Sequence, residues 1–159
     1  MVATAQAATE FLAAKRIAVT GVSRTPAGHG GNAVLKGLRA RGFDAVPVNP
    51  NTDELDGAPC YRTLADVPGP VDAVVVATRA ELAEATVREC EQLGITQVWL
   101  HRSFGAGSVS QEAVDYGTAH GIRVIAGGCP LMFGPGADGG HRFMKHVCRL
   151  TGAVPRQVA

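Results

Sequence analysis

Five short apolar runs, separated by stretches of helical periodicity, constrain this chain more than any other feature. They cover residues 17–19, 43–48, 71–77 (VDAVVVA), 97–101 (QVWLH) and 122–126. Runs this apolar suit strands buried on both faces of a sheet. Helical patterns fill the gaps. One covers 32–41 and stops at Gly42, one covers 80–93 and stops at Gly94, and one starts from Ser110 as N-cap and ends at His120 before Gly121. A short helix over 5–14, anchored by Phe11 and Leu12, precedes the first run. A helical piece over 63–67 ends at a Pro-Gly-Pro, and a helix from about 140 to 150 closes the sequence. This alternation predicts an α/β fold: a Rossmann-like, doubly wound, parallel five-stranded sheet with helices on both faces, in three layers. A length of 159 residues fits one domain over 1–159, with an N-terminal helix in 1–15 and a C-terminal extension with its own helix over 134–159.

Such a sheet takes its ligand at the carboxyl ends of the strands, near the point where strand order reverses. Those ends are the loops at 21–24, 49–51, 77–79, 101–103 and 127–130, each polar or rich in Gly and Pro. The first is the most telling. The stretch RIAVTGVSRTPAGHGGN, from Arg16 to Asn32, runs from strand through a glycine-rich loop to a helix start, the layout of a phosphate cradle. Unpaired N–H groups and the aligned peptide dipoles favour an anion there. No standard motif fits. The loop has no P-loop Lys. The dinucleotide fingerprint can be matched only at Gly28, Gly30 and Ala33, seven residues past Gly21. The nucleophile elbow fails at Thr25.

An NAD site places an acid at the end of the second strand to hold the ribose. Here that end reads Pro47-Val48-Asn49-Pro50-Asn51, with Asp53 and Glu54 further along, which counts against NAD(P). Phosphates would want cations, and Arg24 and Arg79 are placed to supply them.

Composition removes other classes. A net charge of +1 with no Lys/Arg run leaves no footprint for nucleic acid. No apolar run approaches the length of a membrane span, and the N-terminus does not read as a signal peptide. Cys60, Cys90, Cys129 and Cys148 are scattered, so free thiols in the cytoplasm are the simple expectation.

Taken together, IAVTGVS with its long loop, VPVNPN, LDGAPCYRTLADVPGPVDAVVVAT and GGCPLMF resemble the small stand-alone CoA-binding proteins. These are relatives of the CoA-binding domain of the succinyl-CoA synthetase alpha subunit, and the resemblance covers roughly 16–133. It implies that Gly21, Val22, Ser23 and Arg24, with Gly31 and Asn32, hold the phosphates of coenzyme A or an acyl-CoA. It also implies that Val48, Asn49, Pro50 and Asn51 lie near the nucleotide, as do Ala77, Thr78 and Arg79. The chain departs from many relatives at His29-Gly30-Gly31, at His101-Arg102 and beyond Phe133, which leaves open the path of the pantetheine arm and any partner surface.

Two further residues sit at strand ends. Cys129, between Gly128 and Pro130, could be a nucleophile, but no neighbouring His or acid is placed to activate it, and a thiol packed beside the ligand is the expectation. His101 could be an acid or base, or a hydrogen-bonded histidine at the core edge. His141, His146 and Cys148 do not share a helix face well enough for zinc. The reading is a CoA-binding module of small-molecule nucleotide ligands with no assigned catalysis. The alternatives are a small NAD(P)-dependent oxidoreductase, an acyl-CoA-handling enzyme using Cys129, or a nucleotide-sensing subunit. The C-terminal helix is the expected surface for a homo-oligomer or a partner protein.

Overall fold

The computed structural model describes residues 1–25, 30–103 and 105–159. At its centre lie five strands, β1 (Arg16–Thr20), β2 (Asp44–Val48), β3 (Ala73–Val76), β4 (Gln97–Leu100) and β5 (Arg123–Ala126). They pair in the order β2-β1-β3-β4-β5, and every pairing is parallel. From β1 the chain crosses one way to β2, then returns past β1 and runs the other way through β3, β4 and β5. The order therefore reverses between β1 and β3, where a doubly wound sheet opens its crevice.

The helices are α1 (Thr4–Phe11), α2 (Gly30–Ala40), α3 (Ala83–Gln92), α4 (Gln111–Ala119) and α5 (Gly139–Leu150). Successive strand residues face opposite sides, and that period of two sorts the core. Ile17, Val19, Val75, Trp99 and Ile125 face a layer with Phe11 of α1 and Val34 and Leu38 of α2. Ala18, Val74, Val98 and Leu100 face Val87 and Cys90 of α3 and Ala113 of α4. Trp99 is fully buried between Phe11 and Phe133, with ring centroids 5.3 and 5.4 Å away. Its indole N–H donates to the Gly127 carbonyl at 3.0 Å, so the core takes the ring without stranding its polar atom. The Rossmann-like, three-layer fold expected from the sequence is the fold observed.

The local expectations hold in part. Ser110 caps α4 by accepting from the Ala113 N–H, and Gly42, Gly94 and Gly121 all take positive φ behind their helices. The expected helical piece over 63–67 is a turn instead. Asp66 Oδ2 accepts from both the N–H and the hydroxyl of Thr63, and this local competition displaces helical bonding. The pattern over 80–93 is divided into a 3-10 turn, Ala80–Leu82, and α3. The Asp56-Gly57 turn joins two strand fragments, Glu54–Leu55 and Ala58–Pro59, with φ of 51° and 77° at its centre. The fingerprint position Gly28, the unusual His29, and Phe104 lie outside the described residues.

The chain ends form a clasp. Val2 and Ala3 pair antiparallel with Val158 and Gln157. Thr4 continues the contact, its N–H donating to the Arg156 carbonyl and its hydroxyl to that of Pro155. Just before this, residues 153–154 cross over Gly127-Gly128. A Cβ at Gly127 would overlap the Ala153 carbonyl, and one at Gly128 would come within 2.7 Å of Val154 Cγ2. Bare backbone at both positions lets the C-terminal segment seat against the end of β5.

Candidate functional site

The loops behind all five strands open onto one cleft of about 750 Å³, a volume within the usual range for small-molecule sites. Its tightest point is at the reversal of strand order. Gly21, at φ 79°, lies so close to the end of β3 that a Cβ would overlap the Ala77 carbonyl. A Cβ at Gly31, in the first turn of α2, would lie 2.8 Å from the Gly21 carbonyl oxygen. Three backbones thus meet where only glycine fits at two of the positions.

Two asparagines shape the loop walls. Asn32 Oδ1 accepts from the Ser23 N–H, and Asn32 Nδ2 donates to the Ser23 carbonyl, both at 2.8 Å. Asn49 Nδ2 donates to the Val22 carbonyl at 2.7 Å, and its Oδ1 accepts from the Asn51 N–H at 2.8 Å. Backbone groups of the loop behind β1 are held by side chains, and Asn49 ties the loops behind β1 and β2 together.

Of the residues expected at the site, Gly21, Val22 and Ser23 line the cleft behind β1, and Asn49, Pro50 and Asn51 line it behind β2. Ala77, Thr78 and Arg79 line it behind β3, with His101 and Cys129 behind β4 and β5. Gly31, Asn32 and Val48 are not among the residues that line it. Arg24 is exposed and does not belong to the described lining. The sequence reading missed Leu82, Leu131, Ser108 and His141. Ser108 is buried, and its hydroxyl donates to the Thr78 carbonyl 30 residues away, which no local pattern announces. For His141 a signal existed: Asp138 is the N-cap of α5 and the helix starts one residue before the expected position.

Charge is unevenly placed. Arg79 lines the cleft with no ion pair among the described residues, whereas Asp53, the nearest acid behind β2, is held in a pair with Arg62 at 2.7 Å. Burial pushes the His101 imidazole down to about 4, so it is neutral at ordinary pH. Its Nε2 lies 3.3 Å from Ser103 Oγ, and its ring packs against Gly30 at the start of α2. Burial pushes the Cys129 thiol up to about 11, which removes the thiolate that a nucleophile needs. Among the described residues no group of three His, Cys, Asp or Glu could hold a metal, and no helix is long and apolar enough to cross a membrane.

Comparison with known proteins adds chemistry to this geometry. A family model described as a CoA binding domain matches residues 15–135. An acetate–CoA ligase (ADP-forming) II from Archaeoglobus fulgidus is 32% identical over 134 residues, which is 79% of this chain and 18% of the ligase. The chain therefore corresponds to a small part of that enzyme. The Bacillus subtilis protein YneT, described as uncharacterized, is 31% identical over 72% of this chain and 82% of its own length. Among solved structures, a hypothetical protein from Pyrococcus horikoshii OT3 superposes with a TM-score of 0.70 at 28% identity, covering 79% of this chain and 85% of that one.

Proposed function

The chain belongs to the CoA-binding domain family, and from that premise we propose that it binds coenzyme A across the carboxyl ends of its strands, as one ligand-binding domain with a C-terminal helix added. The phosphates would lie over Gly21–Ser23 and the N-terminus of α2, with Arg79 as the cation. The nucleotide would lie along Asn49–Asn51 and Ala77–Thr78. The observation that carries this is the meeting of Gly21, Ala77 and Gly31 at the reversal of strand order. It draws the loop behind β1 and the end of β3 against the first turn of an 11-residue helix, whose unpaired N–H groups and dipole favour an anion and whose Gly30 lines the cleft. The end of β2 offers asparagines where an NAD ribose would want an acid, and its nearest acid is already paired.

A ligand that binds only the folded chain raises its melting temperature. Coenzyme A at about 100 times its Kd should add roughly 3 kcal/mol, a shift of the order of 5–10 °C for a chain of this size. NAD, NADP and ATP should add less, and an equal or larger shift with NAD would overturn the assignment. All four cysteines are buried and free, which suits a reducing compartment, and we place the protein in the cytoplasm on that ground.

A second observation favours a partner. On α5, Phe143 and Leu150 are 69% and 89% exposed, and they share a face with Val147. Arg142 and Arg149 border them on one side, Lys145 lies over the Phe133 ring, and residues 139–159 contain no acid. Like charge disfavours pairing this helix with its own copy, so the face fits an apolar groove rimmed with carboxylates on a protein partner. Sedimentation checks the alternative: a dimer that Phe143→Glu splits would assign the face to a second copy.

A further inference from the structure

One cleft residue comes from outside the stretch shared with the family. His141 stands in the first turn of α5, beyond residue 135, yet it lines the same cleft as Gly21 and Asn49. Its ring is held from one side. Asp138 Oδ2 lies 2.7 Å from His141 Nδ1, while Oδ1 of the same carboxylate accepts the His141 main-chain N–H at 2.8 Å. A carboxylate on Nδ1 favours the tautomer with its proton there, which leaves Nε2 as the ring atom able to accept a proton. An acid at the cap makes this helix end unsuited to a phosphate, so α5 brings a proton acceptor to the cleft, in contrast to the anion site at α2.

The position along the cleft fits one part of the ligand. From β1 to β5 the sheet crosses β3 and β4, three strand spacings or about 14 Å. With its phosphates at the β1 loop, an extended pantetheine arm running over β3 and β4 would reach the loop behind β5, where Cys129 lines the cleft that His141 also lines. We propose that His141, positioned by Asp138, is the base that takes the proton of the bound coenzyme's thiol; this rests on the reading of the cleft as a coenzyme A site. The step is a proton transfer. The S–H bond breaks, an N–H bond forms at Nε2, the electron pair stays on sulfur, and nothing is oxidised or reduced. The product is a thiolate paired with an imidazolium, the nucleophilic form of the ligand.

The other titratable groups in the cleft are not suited to this. His101 is buried and engaged with Ser103, and Cys129 is buried and keeps its own proton. Arg142 beside His141 on α5 and Arg79 in the cleft lining are positively charged and would favour the thiolate as well.

The test follows the ligand's own sulfur. Coenzyme A is first titrated calorimetrically into the full chain. With protein in excess, iodoacetamide then alkylates the bound thiol from about pH 5 to 9, and the alkylated coenzyme is quantified by mass spectrometry. The bound thiol should titrate at least about one unit below free coenzyme A, which is roughly tenfold faster alkylation near neutrality. His141→Gln should return the profile to that of the free coenzyme while affinity changes less than about threefold. It leaves the Asp138 cap bonded to the main-chain N–H, so α5 keeps its start. Asp138→Asn should fall between the two. A bound thiol that titrates like free coenzyme A, or one whose profile survives His141→Gln, overturns the role of His141 alone. Absence of any coenzyme A binding overturns the cleft assignment and this role with it.

Discussion

The carboxamide of Asn32 holds both backbone polar groups of Ser23, accepting from its N–H and donating to its carbonyl at 2.8 Å each. The first turn of α2 and the loop behind β1 are thereby one rigid piece, and that piece is the proposed phosphate seat. Asn32→Ala removes two hydrogen bonds and leaves part-buried groups to find water. It should cost about 1–3 kcal/mol in urea denaturation and weaken coenzyme A binding as well. Unchanged affinity in the variant would mean that the clamp serves folding only.

Gly21→Ala combines a left-handed φ with overlap against the Ala77 carbonyl. Gly57→Ala carries a similar φ of 77° with nothing within 4 Å. The second change should cost about 1 kcal/mol, the conformational penalty alone. The first should cost several times more or abolish soluble protein. Equal costs in a thermal melt would show that the β1–β3 contact opens easily.

His101 gives stability a pH dependence. Its folded pKa, pushed to about 4 by burial, lies below the 6.5 of the unfolded chain. The unfolded chain thus binds a proton that the folded one refuses. The contribution is fully present above about pH 6.5 and is lost as pH falls toward 4, of the order of 3 kcal/mol in all. Urea midpoints measured across that window should fall with acidification, and His101→Gln should flatten this part of the curve. A variant with an unaltered slope would assign the acid sensitivity elsewhere.

Arg79 lines the cleft, whereas Arg24 is exposed outside its described lining. Arg79→Ala should weaken coenzyme A about tenfold or more and leave a phosphate-free pantetheine nearly unaffected. Arg24→Ala should do less. Calorimetry that ranks the two in reverse would move the phosphate contact outward along the loop.

Which parts of this were legible before any coordinates follows from the range of the interactions. Ile17, Val75 and Trp99 belong to apolar runs whose length and spacing are local, so the sheet, its helices and the five converging loops could be read directly. The cleft residues at strand ends came with them, because topology puts those ends together. Ser108 and Thr78 are 30 residues apart and joined by one hydroxyl, and Asn32 reaches back nine residues to Ser23 through a turn. Neither leaves a periodic trace. His141 left only its cap, Asp138, as a local sign, and it lines the cleft from a part of the chain beyond the family match. Thr63 and Asp66 show the opposite failure, a plausible helical pattern defeated by one carboxylate next door.

The terminal clasp has a mechanical meaning. Val2 faces Val158, Ala3 faces Gln157, and Thr4 follows with Arg156 and Pro155, so both ends of the chain leave the ladder from the same side. Tension applied between residues 1 and 159 would load these contacts in succession, peeling them like a zip, and would not shear them together. Resistance should rise only when the peel reaches the seat of residues 153–154 on Gly127-Gly128. An optical trap should then record a soft first opening that precedes rupture of the sheet, whereas a single abrupt event would show clasp and sheet failing as one. Pulling on the ends would thus loosen the Cys129 side of the cleft, next to Gly127-Gly128, before the Gly21 side, which is held by the sheet.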